Sequence, residues 1–300
     1  MNHDQNFKNL ILDYPRQALE LFAQDEAASL GADARILPIR QEQLKARLGD
    51  RFRELDVPLL IEWPDGRREA ILFALEEESD PRRFSIHRLA HYCLDLSELY
   101  ATERVVPVVI FLQQGRVKAN LLLGGERHSY LRFDYLSCML PTLPYEQYMG
   151  SDNIVARLNL PNMQHPDTRR VEVYAHAVRG LFDLEPHPEK QLKYLDFIDI
   201  YSNLNDNERK RYELEYQEEA EFMSTFAERF RQEGVQQGMQ QGMLQGMREG
   251  EARLLARLLS RKFGRIPDDI QRKIECADEA MLLAWSDRVL TATSLEEVVH

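Results

Sequence analysis

The sequence predicts an α/β (α+β) domain built on a mixed sheet with flanking helices, followed by a long helix and a small helical C-terminal domain. Three observations carry this expectation. "LDVPLLIEW" and "REAILFALE" are apolar-rich runs of strand length joined by "PDGR", where Asp65 and Gly66 supply the turn chemistry of a β-hairpin. "RRFSIHRLAHYCLDLSELY" then places apolar residues at 86, 89, 93, 96 and 99, the spacing of an amphipathic helix. "RVVPVVIFL" is continuously apolar, as a strand buried on both faces must be. Hairpin, helix and buried strand in succession describe a mixed sheet covered by helices.

The remaining elements follow in chain order. "FKNLILDYPRQALELF" has apolar residues at helical spacing, with Pro15 suited to a first helical turn because its missing N–H is not needed there. "QEQLKARLGD" reads as a short helix that stops near Gly49. "VKANLLLG" and "SYLRFDYL" are later strands, and "RRVEVYAHAVRGLFDL" and "PEKQLKYLDFIDIYSNL" are helices. This α/β domain with its trailing helices is expected to occupy residues 1–204.

Residues 205–250 read as one long charged helix and a Gly/Gln repeat connector. Tyr212, Tyr216, Met223, Phe226 and Phe230 form a single apolar stripe, suited to a coiled-coil seam or to docking on the first domain. "EGVQQGMQQGMLQGMREG" puts glycine at 234, 238, 242, 246 and 250. Each interior glycine costs a helix about 0.8–1 kcal/mol against alanine. The stretch is therefore read as a flexible connector or weak oligomer helix in preference to close packing through small residues. Residues 251–300 make a compact helical tail in which Gly264 and Pro267 separate the first two helices, Leu283 and Trp285 enter the core, and Ser294 and Glu297 form a capping box.

Composition narrows the function classes. The chain has 300 residues, 44% apolar and 29% charged, and a net charge of −12. Neither the first two hundred residues nor the last hundred is basic, which lowers the expectation of nonspecific nucleic-acid binding without removing a local basic groove. Cys93, Cys138 and Cys276 stand far apart with no CxxC, so they read as reduced thiols of a cytoplasmic protein. No signal peptide and no membrane span are expected. Neither a G-x-G-x-x-G nor a Walker A sequence is present, and no serine lies in a G-x-S-x-G context.

The candidate site lies at the end of the hairpin. "LFALEEESD" runs from four apolar residues into Glu76, Glu77 and Glu78. Side chains two apart on a strand share a face, so Glu76 and Glu78 form a pair and Glu77 points away. With a three-residue "PDG" loop, Trp63 faces Arg67 and Asp56 faces Ala74, which gathers Asp56, Glu76 and Glu78 at one end of one face. A two-residue loop would place Asp56 on the opposite face. Clustered carboxylates are hard oxygen ligands suited to Mg²⁺ or Mn²⁺.

On "LDVPLLIEW…ILFALEEESD…RRFSIHRLAHYCLDLSELYATERVVPVVIFL" the sequence resembles the recombination-promoting nuclease (Rpn) and transposase-like branch of the PD-(D/E)XK phosphodiesterases. Its closing "LLSRKFGRIP…WSDRVLTATSLEEV" resembles the C-terminal domain of unknown function that often ends such proteins. The resemblance implies a restriction-endonuclease-like mixed sheet flanked by helices, Mg²⁺ (or Mn²⁺) as cofactor, and DNA as substrate. It sets Asp56 and Glu76 as metal ligands and matches Arg88 and Tyr92 to the R-x-x-x-Y pattern of the following helix. Glu78 stands where the family has Lys or Gln. Glu78 is then a further ligand or general base, with Arg82, Arg83 or Arg88 supplying positive charge; otherwise the site is inactive.

Two function classes follow. One is a metal-dependent DNA endonuclease with catalytic residues Asp56, Glu76, Glu78 and Arg88. The other is a catalytically degenerate nuclease-fold protein acting as an oligomerisation or protein-interaction module, a homo-oligomer through its C-terminal helical region. His87 and His91 share a helix face at metal-binding spacing, but no third His or Cys ligand accompanies them, and they read as surface histidines.

Overall fold

The computed structural model describes residues 3–39, 57–76 and 84–299, in two compact units, Met1–Ala220 and Glu221–His300. The short helix expected over "QEQLKARLGD" lies outside the described residues.

The first unit opens with α1 (His3–Asp13), α2 (Pro15–Phe22) and α3 (Gln24–Ala27). Pro15 occupies the first turn of α2, as its fixed φ favours, and the chain bends at Tyr14. A five-stranded sheet follows in the order β1 (Arg35–Pro38), β2 (Val57–Glu62), β3 (Arg68–Glu76), β4 (Val105–Phe111) and β7 (Leu136–Met139). The first two pairings are antiparallel and the last two parallel. Between β3 and β4 runs α4 (Ile86–Tyr100), the crossover that a parallel pair requires. Ser85 caps it by accepting a bond from Arg88 N, 3.3 Å. Ile86, Leu89, Cys93 and Leu96 are its buried residues, the stripe the sequence predicts.

The β2–β3 hairpin has the three-residue loop. Trp63 N donates to Arg67 O and Gly66 N to Trp63 O, both at 3.0 Å, with Gly66 at φ +85°, where a side chain would be strained. The register runs from Glu62 opposite Arg68 to Val57 opposite Phe73. Parallel pairing of β3 with β4 runs from Ala70 opposite Val105 to Glu76 opposite Phe111. Pro107 is tolerated inside β4 because β7 begins to pair only at Val108, which leaves the earlier part of that edge open.

Both faces of the sheet are covered. Leu60, Ala70, Leu72, Val109 and Phe111 pack with Leu89, Cys93 and Leu96 of α4. Phe73 points to the other face, where it meets Phe22 of α2 with ring centroids 6.2 Å apart. Strands β5 (Asn120–Gly124) and β6 (Ser129–Asp134) form a separate two-stranded sheet. Phe133 and Val117 pack at its base against the α4 cluster.

The unit then becomes helical, with α5 (Ile154–Leu158), α6 (Arg170–Leu184), α7 (Pro188–Ser202) and α8 (Asp206–Glu215). Phe7 of α1 packs against Phe197 and Tyr201 of α7, each at 5.3 Å between centroids. Gly180 on α6 lets Arg157 of α5 pass: a Cβ there would lie 2.7 Å from the guanidinium carbon.

Two expectations about the C-terminal third need correction. The charged segment is two helices, because Tyr216 leaves helical geometry at φ −127° between α8 and α9 (Gln217–Phe263). Its apolar stripe is therefore divided. Tyr212 is buried edge-on against Tyr174 at 4.8 Å and belongs to the first unit. The glycine repeat, read as a flexible connector or a weak oligomer helix, is helical throughout α9, its propensity cost outweighed by long runs of good helix formers on either side. The second correction is that Leu283 is exposed, and its neighbour Leu282 enters the core. The helical phase of α11 (Glu279–Thr291) sets that choice, since Leu282, Trp285 and Val289 share one face.

In the second unit, the end of α9 packs with α10 (Asp268–Cys276), α11 and α12 (Leu295–Val298). Gly264 at φ +87° ends α9. Lys262 Nζ donates to Val289 O near the end of α11, 2.6 Å. Ser294 caps α12 by accepting a bond from Glu297 N, 3.3 Å, and the Glu297 carboxylate accepts in turn from Thr293 N at 2.7 Å.

Candidate active site

The carboxyl ends of β3 and β4 coincide, and in sheets of this kind ligands gather at such ends. Glu76 is the last residue of β3, opposite Phe111 at the end of β4. Strand alternation gives position 76 the parity of Ala70 and Leu72, the face that α4 covers. The backbone of Glu76 is described and its side chain is not. Asp56 and Glu78 lie outside the described residues, as do Arg82 and Arg83.

Around this sheet end the described groups are largely aromatic and amide. Phe84 stands edge-on to Phe111 at 5.7 Å and meets Tyr135 at 5.2 Å. Gln114, three residues past the end of β4 at Phe111, donates Nε2–H to Pro141 O at 2.8 Å and ties the end of β4 to the segment after β7. Arg88 sits in the first turn of α4 with an exposed side chain, and Tyr92 one turn on packs partly against the α4 cluster. His87 and His91 are exposed on the same helix. Among the described residues, no group of three or more His, Cys, Asp or Glu side chains comes together as a metal site. The fully placed members of the predicted site are thus Arg88 and Tyr92, with Glu76 placed by its backbone.

A carboxylate that sequence patterning did not single out stands at the opposite end of the sheet. Glu69 on β3 is only 2% exposed and accepts two bonds from Arg104, at 2.8 and 2.6 Å. The Arg104 guanidinium lies over the Trp63 ring at 5.6 Å, and that of Arg67 at 5.1 Å. A glutamate in an otherwise apolar strand was the available signal. The pair locks the hairpin to the start of β4 and hence sets the register that brings Glu76 to Phe111.

A second cluster joins the α1–α2 bend to the α6–α7 turn. Tyr14 Oη donates to buried Glu185, whose other oxygen accepts from His187 N at 2.8 Å. Burial pushes the Glu185 carboxyl up, but bonds from Tyr14 and His187 outweigh it and leave it below its ordinary value of 4.5. Asp13 is held low in the same manner: burial raises it, and hydrogen bonds from Lys193 and Tyr194 outweigh that. Burial pushes the Cys93 and Cys138 thiols up to about 12, so neither is a nucleophile near neutral pH.

The chain matches no family model, no curated protein and no solved structure. No helix of the described residues is long and apolar enough to cross a membrane.

Proposed function

We propose that the chain is a metal-dependent DNA endonuclease of the PD-(D/E)XK type, with Asp56 and Glu76 as ligands of Mg²⁺ or Mn²⁺. The observation that supports it best is the three-residue hairpin loop together with the β3–β4 register, which delivers Glu76 to the carboxyl end of a parallel pair on the α4 face. The one-face clustering of Asp56, Glu76 and Glu78 requires that loop length. Carboxylates are the donor set such an ion prefers, and a bound ion would polarise the phosphodiester and activate water. Arg88, exposed in the first turn of α4, supplies positive charge to the phosphate, and Glu78 acts as a further ligand or general base. Incubation of plasmid DNA with the protein and Mn²⁺ or Mg²⁺ tests the reading. Wild type nicks and Asp56→Ala does not; equal nicking by both removes Asp56 from the mechanism.

A second reading has its own observation. Met239, Met243, Leu244 and Met247 are exposed along α9 beside Gly238, Gly242 and Gly246, where an added Cβ would meet nothing within 4 Å. An apolar helix face of this kind suits self-association of the second unit. Light scattering on the full chain over a range of concentrations tests it, and a monomeric mass throughout contradicts it.

A further inference from the structure

The β5–β6 ribbon gathers exposed apolar side chains, Leu122, Leu123, Tyr130 and Leu131. Its base is anchored: Leu121 is buried, Phe133 packs against the α4 cluster, and Tyr135 Oη donates to Lys118 O at 2.9 Å. Its outer part is not. Leu122 is 56% exposed and Tyr130 80%. Register explains Tyr130. Leu123 pairs with Leu131 and Gly124 with Ser129, so Tyr130 is the extra residue of a β-bulge, a device that re-aims a side chain. Gly124 is required there, since a Cβ would lie 2.8 Å from Ser129 Cα and closer still to His128 O. The bulge, its glycine and the exposed ring form one local construction, with His128 edge-on to Tyr130 at 6.2 Å.

The ribbon also carries a small basic excess. Over residues 113–134 the basic residues are Arg116, Lys118, Arg127 and Arg132, all exposed, against Glu126 and Asp134. Arg132 is paired with Asp134 at 2.8 Å, which leaves the local excess on Arg116, Lys118 and Arg127. In a chain of net charge −12 such an excess is local. Three cations on one ribbon make no broad track for duplex phosphates. Single-stranded DNA asks for less, because an exposed ring on which a base stacks, with a few cations for the backbone, is sufficient.

We propose that the β5–β6 ribbon is a single-stranded DNA contact, with Tyr130 as the stacking platform and Arg127, Lys118 and Arg116 meeting the phosphates. The choice of DNA rests on the nuclease reading, and the ribbon's base packs on the sheet face to which position 76 belongs. A flipped or unpaired strand segment held on the ribbon would therefore be presented from the α4 side of the sheet.

Fluorescence anisotropy of a labelled oligo(dT) 20-mer, with the full chain in EDTA at low salt, tests this apart from cleavage. Wild type binds the single strand more tightly than a duplex of the same length. Tyr130→Ala weakens binding about tenfold, on the scale of losing one stacked base, while Tyr130→Phe restores it. Lys118→Gln with Arg127→Gln lowers the slope of log affinity against log salt by about 1.4, from two released counterions on a single strand. Absence of binding by wild type, or equal binding by Tyr130→Ala, overturns the proposal. Binding that depends on Tyr130 without cleavage in any metal leaves the ribbon contact standing and removes the nuclease reading.

Discussion

Replacing Arg104 by alanine should destabilise the first unit through Glu69 rather than through any lost surface contact. Removing one partner of a buried ion pair costs about 3–5 kcal/mol, because the other charge stays buried and unpaired. Glu69 is 2% exposed, but the Arg104 side chain is 49% exposed, so water entering its place recovers part of that cost. The expected loss is then about 2 kcal/mol, which moves a urea midpoint by about 1 M at a slope near 2 kcal/mol/M. Trp63, against which Arg104 lies, reports the local transition once the other tryptophan, Trp285, is replaced by phenylalanine. Replacing both Glu69 and Arg104 by leucine should recover most of the loss, since an apolar pair leaves no orphaned charge. A midpoint for Arg104→Ala within about 0.2 M of the parent, under about 0.5 kcal/mol at that slope, would refute the reasoning. So would a double replacement as unstable as the single one.

Gly180→Ala should cost about 1–3 kcal/mol, the usual penalty of overpacking, because the new methyl would lie 2.8 Å from Arg157 Cβ; a thermal melt followed by circular dichroism checks it. Glu185 and Asp13 both have carboxyl groups lowered on folding, so their stabilisation is complete above their ordinary values and is lost as pH falls through the folded ones. Glu185→Gln should flatten the acid limb of a stability-against-pH curve and leave the neutral-to-basic limb unchanged in slope. Lys262→Met removes the bond to Val289 O and should lower the stability of the second unit by about 1 kcal/mol in urea titrations. Alanine at Gly238, Gly242, Gly246 and Gly250 should stabilise helical α9 by about 3–4 kcal/mol of added propensity, read as a higher melting temperature of the full chain by circular dichroism. Concentration-dependent loss of assembly on the same substitutions would place those glycines at an interface between copies.

The hairpin, α4 and β4 were legible because each is decided locally. Asp65 and Gly66 specify the loop, a heptad-like stripe specifies the helix, and an unbroken apolar run specifies a strand covered twice. Strand β1 was not legible: "RILP" is short, largely exposed and made a strand only by pairing with β2. Strand β7 is four residues long and is defined by the open edge of β4. The break at Tyr216 is not marked in the sequence because the apolar spacing continues across it, while tertiary contacts of Tyr212 with Tyr174 draw the first part into another core. For the site, parity along β3 was readable and sets the face of position 76, whereas the choice between a two- and a three-residue loop was open in the sequence and is decided by the Trp63–Arg67 pairing. The Glu69–Arg104 lock and the Tyr130 bulge depend on which strands are neighbours, which no local pattern encodes.

The most direct test of the nuclease reading is a crystal of the protein grown with Mn²⁺ and examined for anomalous scattering. The account predicts one peak held by carboxylate oxygens of both Asp56 and Glu76, at about 2.1–2.2 Å as hard divalent ions require. Asp56 and Glu76 on opposite faces of the sheet, with no shared peak, would contradict it.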